Sequence, residues 1–174
     1  MPPGQSPVVD LEAMDFNHRI ADQEQILAIN PHRYEFVLLS GIVSLDPIRH
    51  VIVGYKDLSH DEFWARGHFP KFPVMPGVLM CEAGAQLTSF YMYHQKIVPP
   101  DRLVGLGGIE TARFREPVRP GDRLILVGGG KRLGARLTKF EVTGHVKRGD
   151  KFAVAFETTI LGVMLGSWED LLRA

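Results

Sequence analysis

The sequence of 174 residues contains one cysteine, no excess charge of either sign and no apolar run long enough to cross a membrane. One cysteine excludes an internal disulfide and leaves no cysteine cluster for zinc. Twenty basic residues balance twenty acidic ones, whereas a general nucleic-acid-binding protein would show a basic excess. The start of the chain lacks the basic and apolar segments of a secretory signal. We therefore expect a cytoplasmic protein that binds neither nucleic acid nor membrane.

Length and composition fit one globular domain with its own core. The chain is 45% hydrophobic and 23% charged, as is usual for such proteins. Residues 1–18 are interrupted by prolines and show no periodicity, so we predict a flexible N-terminal lead-in. Residues 19–174 are predicted to form a single domain with a short C-terminal extension.

Most of the chain consists of strand-like segments separated by turn residues. Glycine, proline or aspartate bounds each segment, and several alternate apolar with polar residues, as half-buried strands do. SLDPIRH (44–50) and VKRGDKF (146–152) are predicted to be turns between neighbouring antiparallel strands. ADQEQILAIN (21–30) is predicted to be a short amphipathic helix that stops before Pro31. The six predicted strands are YEFVLLSGIVSL (34–45), HVIVGYKDL (50–58), RLVGLGGIETARF (102–114), RLILVGGGKRL (123–133), ARLTKFEVTGHVK (135–147) and KFAVAFETTILGV (151–163).

One long helix is predicted, from about Pro76 to Gln95. Pro76 suits its first turn, where the missing N–H has no partner to lose. Apolar residues cover nearly every side of the segment, and a helix that is apolar all round must be surrounded by other elements. With about six strands, the economical packing is a curved antiparallel sheet around this helix. The predicted fold class is therefore α+β with the helix at the centre.

Glu82 carries the only formal charge between Lys71 and Lys96. Burying a carboxylate is costly unless it is paired, protonated or engaged in chemistry, which makes Glu82 a candidate functional acid. The alternative is an acid that meets an arginine or a backbone N–H at a subunit contact. Gln86 lies one helical turn further on, where its amide can orient the carboxyl group or can simply be a polar residue of an interface.

His68 and Gly77 complete the candidate site. Histidine exchanges a proton near neutral pH, and His68 lies in a loop that Pro70 restricts. Gly77 stands at the start of the long helix, where free N–H groups and the helix dipole favour developing negative charge. A glycine there also lets a substrate carbonyl approach the backbone. The alternatives are a hydrogen-bonded histidine without chemistry and a glycine that simply begins the helix.

Other features do not predict sites. GGGKR (128–132) lacks the first glycine of a phosphate loop and is predicted to be a bulge or turn beside a strand. Cys81, within an apolar helix, is predicted to be an inert small hydrophobic residue. The six other histidines show no metal-ligand spacing, so we assign none of them to a metal. The basic residues of the second half are predicted to form a solvated face, part of which an acidic partner can use.

Three motifs, in order and at matching spacing, make the sequence similar to a known family. They are PHRYEF (31–36), GHFPKFPVMPGVLMCEAGAQ (67–86) and ARFREPVRPGDRL (112–124). The chain resembles the 3-hydroxyacyl-[acyl-carrier-protein] dehydratases of bacterial fatty acid synthesis over roughly residues 20–162. The resemblance implies the hot-dog fold, in which an antiparallel sheet wraps a long helix.

The resemblance also implies the chemistry. His68 and Glu82 take the positions of the family's catalytic histidine and glutamate, and the predicted substrate-binding residues are Phe69, Pro76, Gly77, Val78 and Gln86. The implied reaction is reversible loss of water from a (3R)-3-hydroxyacyl thioester on acyl carrier protein or CoA, with no cofactor or metal. His68 removes the C2 proton, the Gly77 N–H stabilises the enolate-like oxygen, and Glu82 protonates the departing hydroxyl.

The assembly implied by the resemblance is a homodimer with shared active sites, commonly a trimer of dimers. Each site would then combine His68 of one protomer with Glu82 of its partner. Glu82, rather than aspartate, favours the general dehydratase branch over the dehydratase/isomerase branch.

The sequence departs from the family pattern outside the catalytic pair. Glu35 stands where the family usually has proline, Ser40 and Gly41 replace an Asp-Arg pair, and Thr111 stands near the place of a usual lysine. These positions concern substrate choice and carrier docking. Two alternative functions are a hot-dog acyl thioesterase and a non-catalytic acyl-thioester-binding module.

Overall fold

The computed structural model describes residues 9–134 and 136–173, in which seven strands form one antiparallel sheet beside a long helix. The order of the strands across the sheet is β1-β2-β3-β5-β6-β7-β4. The helices are α1 (Gln23–Ile29), α2 (Gly77–His94) and α3 (Trp168–Arg173), and a 3₁₀ turn covers Tyr34–Phe36. The strands are β1 (Ala21–Asp22), β2 (Gly41–Asp46), β3 (Val51–Asp57), β4 (Arg102–Phe114), β5 (Arg123–Leu133), β6 (Leu137–Arg148) and β7 (Lys151–Ser167).

The helix α2 is the centre of the core, as the sequence predicted. It contacts strands β3 to β7, so the sheet surrounds a large part of its circumference. Leu87, Phe90 and Tyr91 on this helix are among the most deeply buried side chains of the described residues. The predicted α+β class is confirmed. A helix that is apolar on every side can be buried only if the sheet curves over it.

Most predicted strands and both predicted turns are confirmed. The predicted strands 102–114 and 123–133 coincide with β4 and β5. Residues 47–50, within the predicted turn 44–50, connect β2 to β3. Residues 149 and 150, within the predicted turn 146–152, connect β6 to β7, with Gly149 at a φ of 61°. A shift in register between Gly130 and Arg132 gives β5 the irregularity predicted for the GGGKR stretch.

Two segments differ from their predictions. Residues 34–36 form a 3₁₀ turn, and the strand predicted from residue 34 begins only at Gly41. The backbone at Phe36 and Leu38 is hydrogen-bonded to the side chain of Gln86 instead of to a neighbouring strand. Residues 21 and 22, predicted as helix, form the short strand β1, which was not among the six predicted strands. The Asp22 side chain accepts a hydrogen bond from the Gln25 N–H and so caps α1.

The first and last described segments of the chain lie beside the sheet. Within residues 9–18 the structure has turns without helix or strand, and Leu11 is buried against the outer face of the sheet beside Val43 and Val53. The prediction of a flexible lead-in over residues 1–18 stays a prediction, and residues 1–8 lie outside the described part. Helix α3 forms in the predicted C-terminal extension, of which residue 174 lies outside the described part. Among the described helices, none combines the length and the apolar character that a membrane span requires.

Candidate active site

His68 lies in the loop that connects β3 to α2, and the loop backbone holds it from both sides. The His68 N–H donates to the Trp64 carbonyl oxygen over 2.8 Å, and the Val74 N–H donates to the His68 carbonyl oxygen over 2.8 Å. Further along, the Met75 N–H donates to the Val118 carbonyl oxygen over 2.7 Å, which ties the loop to the segment between β4 and β5. The histidine is therefore fixed before helix α2 begins.

The imidazole of His68 has one nitrogen occupied and one available. Its Nδ1 lies 2.8 Å from the Val74 carbonyl oxygen. Because a carbonyl oxygen only accepts hydrogen bonds, Nδ1 must carry the proton, and the neutral ring has its lone pair on Nε2. The Phe69 ring stacks on the imidazole with centroids 4.2 Å apart. His68 is thus oriented to accept a proton at Nε2.

A cavity of about 500 Å³ lies beside His68, at the start of helix α2. Pro76, Gly77 and Val78 line it together with Phe114. The Gly77 N–H has no acceptor within the described part of the chain, as expected for the first turn of a helix. A Cβ on residue 77 would lie 2.8 Å from the Phe114 ring, so the approach of Phe114 requires glycine here. Three predicted substrate-binding residues therefore share one cavity with His68.

Glu82 lies on the second turn of helix α2, and its side chain is 22% exposed in the single chain. The sequence predicted a buried acid, and the carboxyl group is instead half-buried because it faces a cavity. Gln86 Nε2 donates to Glu82 Oε1 over 2.9 Å, the contact expected one helical turn apart. His32 Nε2 lies 3.4 Å from the same oxygen.

The Gln86 amide is fixed on both its atoms. It is 2% exposed; its Oε1 accepts from the Leu38 N–H over 3.0 Å, and its Nε2 also donates to the Phe36 carbonyl oxygen over 2.8 Å. The hydrogen bonds therefore assign the amide orientation and hold residues 36–38 against α2. The amide that orients Glu82 cannot rotate without breaking three hydrogen bonds.

A second cavity, of about 110 Å³, lies beside Glu82 and follows helix α2 towards Met92. The residues that line it include His32 and Ala85, with Leu106 and Ile160 from the sheet. His68 does not line this cavity, and Glu82 does not line the larger one. One chain therefore presents the two predicted catalytic side chains in two different cavities.

Cys81 and His32 are two further titratable residues close to Glu82. Cys81 is buried, and burial raises the pKa of its thiol, in line with an inert hydrophobic residue. Sequence reasoning gave His32 no role, although the residue lies in the PHRYEF motif; only its contact with Glu82 marks it. In residues 9–134 and 136–173, no three His, Cys, Asp or Glu side chains are grouped to hold a metal ion.

The family of the chain follows from a comparison with protein-family models. The model of the FabA-like domain matches residues 30–153, which is most of the chain, and the protein belongs to this family. The resemblance seen in the three motifs is therefore confirmed.

Curated relatives carry the name 3-hydroxyacyl-[acyl-carrier-protein] dehydratase FabZ. The relative from Polynucleobacter asymbioticus is 39% identical over 125 residues, which cover 72% of this chain and 83% of the relative. The relative from Variovorax paradoxus is 39% identical over 145 residues, which cover 82% of this chain and 93% of the relative. A third, from Desulfotalea psychrophila, is 46% identical over 104 residues, or 58% and 67% of the two chains.

Solved structures show the same fold at low sequence identity. A chain of the dehydratase heterocomplex ApeI:P from Xenorhabdus doucetiae is similar with a TM-score of 0.67 and 16% identity, over 89% of this chain and 97% of that chain. The PaaI protein of E. coli is similar with a TM-score of 0.53 and 12% identity, over 70% and 80% of the two chains. The predicted hot-dog fold is confirmed.

Proposed function

We propose that this protein is a 3-hydroxyacyl-[acyl-carrier-protein] dehydratase of fatty acid or related lipid biosynthesis. It removes water reversibly from (3R)-3-hydroxyacyl thioesters and gives trans-2-enoyl thioesters. The observation that carries the proposal is a pair of oriented side chains. One is His68, whose unprotonated Nε2 lies beside the N-terminus of α2, and the other is Glu82, whose Oε1 accepts a hydrogen bond from Gln86. The names of the relatives support the same reaction.

In the proposed reaction His68 acts first as the general base. Its Nε2 takes the C2 proton, whose acidity comes from the adjacent thioester carbonyl. The Gly77 N–H and the positive end of helix α2 stabilise the negative charge that develops on the carbonyl oxygen; one such donor contributes about 10²- to 10³-fold in other enzymes. The cavity beside His68 contains both groups, and the Val74 carbonyl holds the ring while it becomes charged.

Glu82 acts as the general acid. The C3–O bond breaks with its electron pair on the oxygen, the proton of the Glu82 carboxyl group joins that oxygen, and water leaves. The C2 electron pair becomes the C2–C3 double bond. His68 is then protonated and Glu82 ionised, and transfer of one proton from the former to the latter through solvent restores both groups.

The separation of the two side chains supports an active site shared between protomers. His68 and Glu82 line different cavities of one chain, and Val78 beside His68 is 72% exposed. We propose a homodimer in which His68 of one protomer faces Glu82 of the partner subunit, with assembly into a trimer of dimers. The acyl chain would enter the cavity along α2, and the thioester arm would lead outward to the carrier.

The cytoplasm stays the expected compartment, which cell fractionation tests.

The proposal is tested by following enoyl-thioester formation from 3-hydroxyacyl thioesters of several chain lengths on acyl carrier protein and on CoA. His68→Ala and Glu82→Gln are expected to lower turnover by at least about 10²-fold each, because each removes one proton-transfer group. Unchanged unfolding temperatures would show that both variants are folded. Wild-type turnover in both variants would contradict the mechanism, and release of free thiol from saturated acyl thioesters would identify a thioesterase instead.

A further inference from the structure

His32 lies against the acid of the proposed site, although neither the motifs nor the proposed reaction gives it a function. Its Nε2 is 3.4 Å from Glu82 Oε1, and both side chains line the cavity along α2. Gln86 Nε2 donates to the same oxygen over 2.9 Å. Two nitrogens therefore converge on Oε1, while Oε2 accepts no hydrogen bond from any residue that the structure describes.

The surroundings of the His32 ring indicate that Nε2 is the nitrogen that carries the proton facing Glu82. The ring's Nδ1 is buried and has no hydrogen-bond partner in the described part of the chain. A charged imidazole carries a proton on both nitrogens, so the charged form would bury an N–H without an acceptor. A neutral ring with its proton on Nε2 avoids that cost and can donate to Glu82. His32 is thus better suited as a hydrogen-bond donor than as an ionic partner.

The backbone around His32 is tied to the turn of helix α2 that follows Glu82. Asn30 Nδ2 donates to the Gln86 carbonyl oxygen over 2.9 Å. The Arg33 guanidinium donates from Nη1 to the carbonyl oxygens of Asn30 and His32, over 2.8 and 2.7 Å. The loop that carries His32 is therefore attached to α2 by hydrogen bonds that do not involve the imidazole ring. These bonds fix the position of the ring beside Glu82.

We propose that His32 is a positioning residue of the dehydration reaction, an inference that rests on the function proposed above. His32 and Gln86 together hold Glu82 Oε1 as the carbonyl oxygen of the protonated acid. The transferable proton is then on Oε2, the oxygen without a protein partner. Proton transfer to the departing hydroxyl leaves a carboxylate whose Oε1 still faces two donors.

The same geometry predicts a kinetic signature. The separation of 3.4 Å is longer than an ordinary hydrogen bond, and contacts in a free enzyme commonly shorten in the substrate complex. A donor interacts more strongly with a carboxylate than with a neutral acid. Because Glu82 gains negative charge only as the proton leaves, the His32 contact strengthens in the transition state. Its loss is expected to lower kcat and to leave KM nearly unchanged.

The test compares two substitutions of His32 with one control. His32→Leu removes the donor and keeps an apolar side chain, and it is expected to lower kcat about 10- to 100-fold with KM within about twofold. His32→Gln retains an N–H at a similar distance from the backbone and is expected to recover most of the lost kcat. His60→Leu, at an exposed position away from both cavities, is expected to leave both constants unchanged.

Unfolding temperatures accompany each kinetic measurement, and His32→Met takes the place of His32→Leu if leucine prevents folding. A wild-type kcat in the variant that lacks the donor would overturn the proposal, as would an equal loss in the Gln and Leu variants. A rise in KM alone would show that His32 is only a wall of the cavity. Absence of enoyl product from the wild-type enzyme would overturn the proposed function itself, so the two failures are distinguishable.

Discussion

At the residue scale, the site is defined by which atoms are already engaged. His68 Nδ1 is occupied by a carbonyl oxygen and Glu82 Oε1 by an amide, which leaves Nε2 and Oε2 for substrate. The sequence marked Glu82 as a lone acid in an apolar helix and His68 as a titratable loop residue, and the family resemblance predicted a catalytic role for both. It did not predict His32, because the contact of that ring with Glu82 depends on folding a distant loop onto α2.

Gly77 provides a test of the proposed oxyanion site. In Gly77→Ala the new Cβ would lie 2.8 Å from the Phe114 ring, so the ring or the first helical turn must move. Displacement of the N–H from the reacting oxygen is expected to lower kcat/KM by at least about tenfold. Steady-state kinetics measures the change. Gly67→Ala is the matched control, since a Cβ there meets nothing within 4 Å; equal activities of the two variants would contradict the role of Gly77.

His145 on strand β6 predicts how stability depends on pH. Burial lowers the pKa of its imidazole, and the carboxylate of Glu157 opposes this only in part. The unfolded chain therefore binds a proton below about pH 6.5 that the folded protein resists, so stability falls as the pH decreases from about 7.

The prediction is checked by replacing the titrating ring. His145→Gln keeps a group that can reach Thr143, the present partner of His145 Nε2, and is expected to show a smaller loss of unfolding temperature between pH 7.5 and pH 5.5. His60→Gln at the protein surface should retain the wild-type pH dependence. A pH dependence unaffected by His145→Gln would assign the effect to other groups.

At the scale of elements, the local sequence correctly predicted strands whose backbone pairs with a neighbouring strand. It failed at one segment whose backbone is hydrogen-bonded to a side chain instead. The bounds of β4 and β5 follow from turn residues at each end. The segment YEFVLL has strand-like composition, but its backbone groups at Phe36 and Leu38 pair with the Gln86 side chain. Such a long-range partner leaves no local signal, and therefore the beginning of β2 was predicted wrongly.

Gln86 accordingly joins two elements as well as orienting Glu82. Gln86→Leu would leave the buried Leu38 N–H without its acceptor, which is expected to cost about 1–3 kcal/mol of unfolding free energy. The loss of the donor to Glu82 is also expected to lower kcat. Chemical denaturation and steady-state kinetics measure the two effects. Gln95→Leu serves as control, because its amide hydrogen-bonds the exposed His94; matching stability losses in the two variants would contradict this assignment.

At the scale of the whole molecule, the fold class followed from one element. An apolar helix with a single charged residue required a sheet around it, and α2 indeed contacts five strands. The sequence predicted a site shared between protomers only through the family resemblance, since residue spacing does not show which cavity a side chain enters. In the folded chain His68 and Glu82 line separate cavities. Phe69 and Val78, exposed beside His68, form an apolar rim that a second copy would cover.

Co-expression of His68→Ala and Glu82→Gln chains tests the shared site. In a two-fold dimer, one site of each mixed pair carries both substitutions and the other carries neither. Random pairing is therefore expected to restore about a quarter of wild-type turnover, whereas each variant alone is expected to show no more than about a hundredth of it. Recovery no greater than in the separate variants would show that both residues of a site come from one protomer.

The position of Leu11 has a practical consequence for handling the protein. Leu11 packs beside Val43 and Val53, and Val9, Met14 and Phe16 lie against the same cluster. Removal of residues 1–18 would expose the apolar side chains of that face of the sheet to solvent, and exposed apolar patches promote aggregation. A chain that begins at residue 19 is thus expected to aggregate on storage, although the residues that line both cavities are all retained.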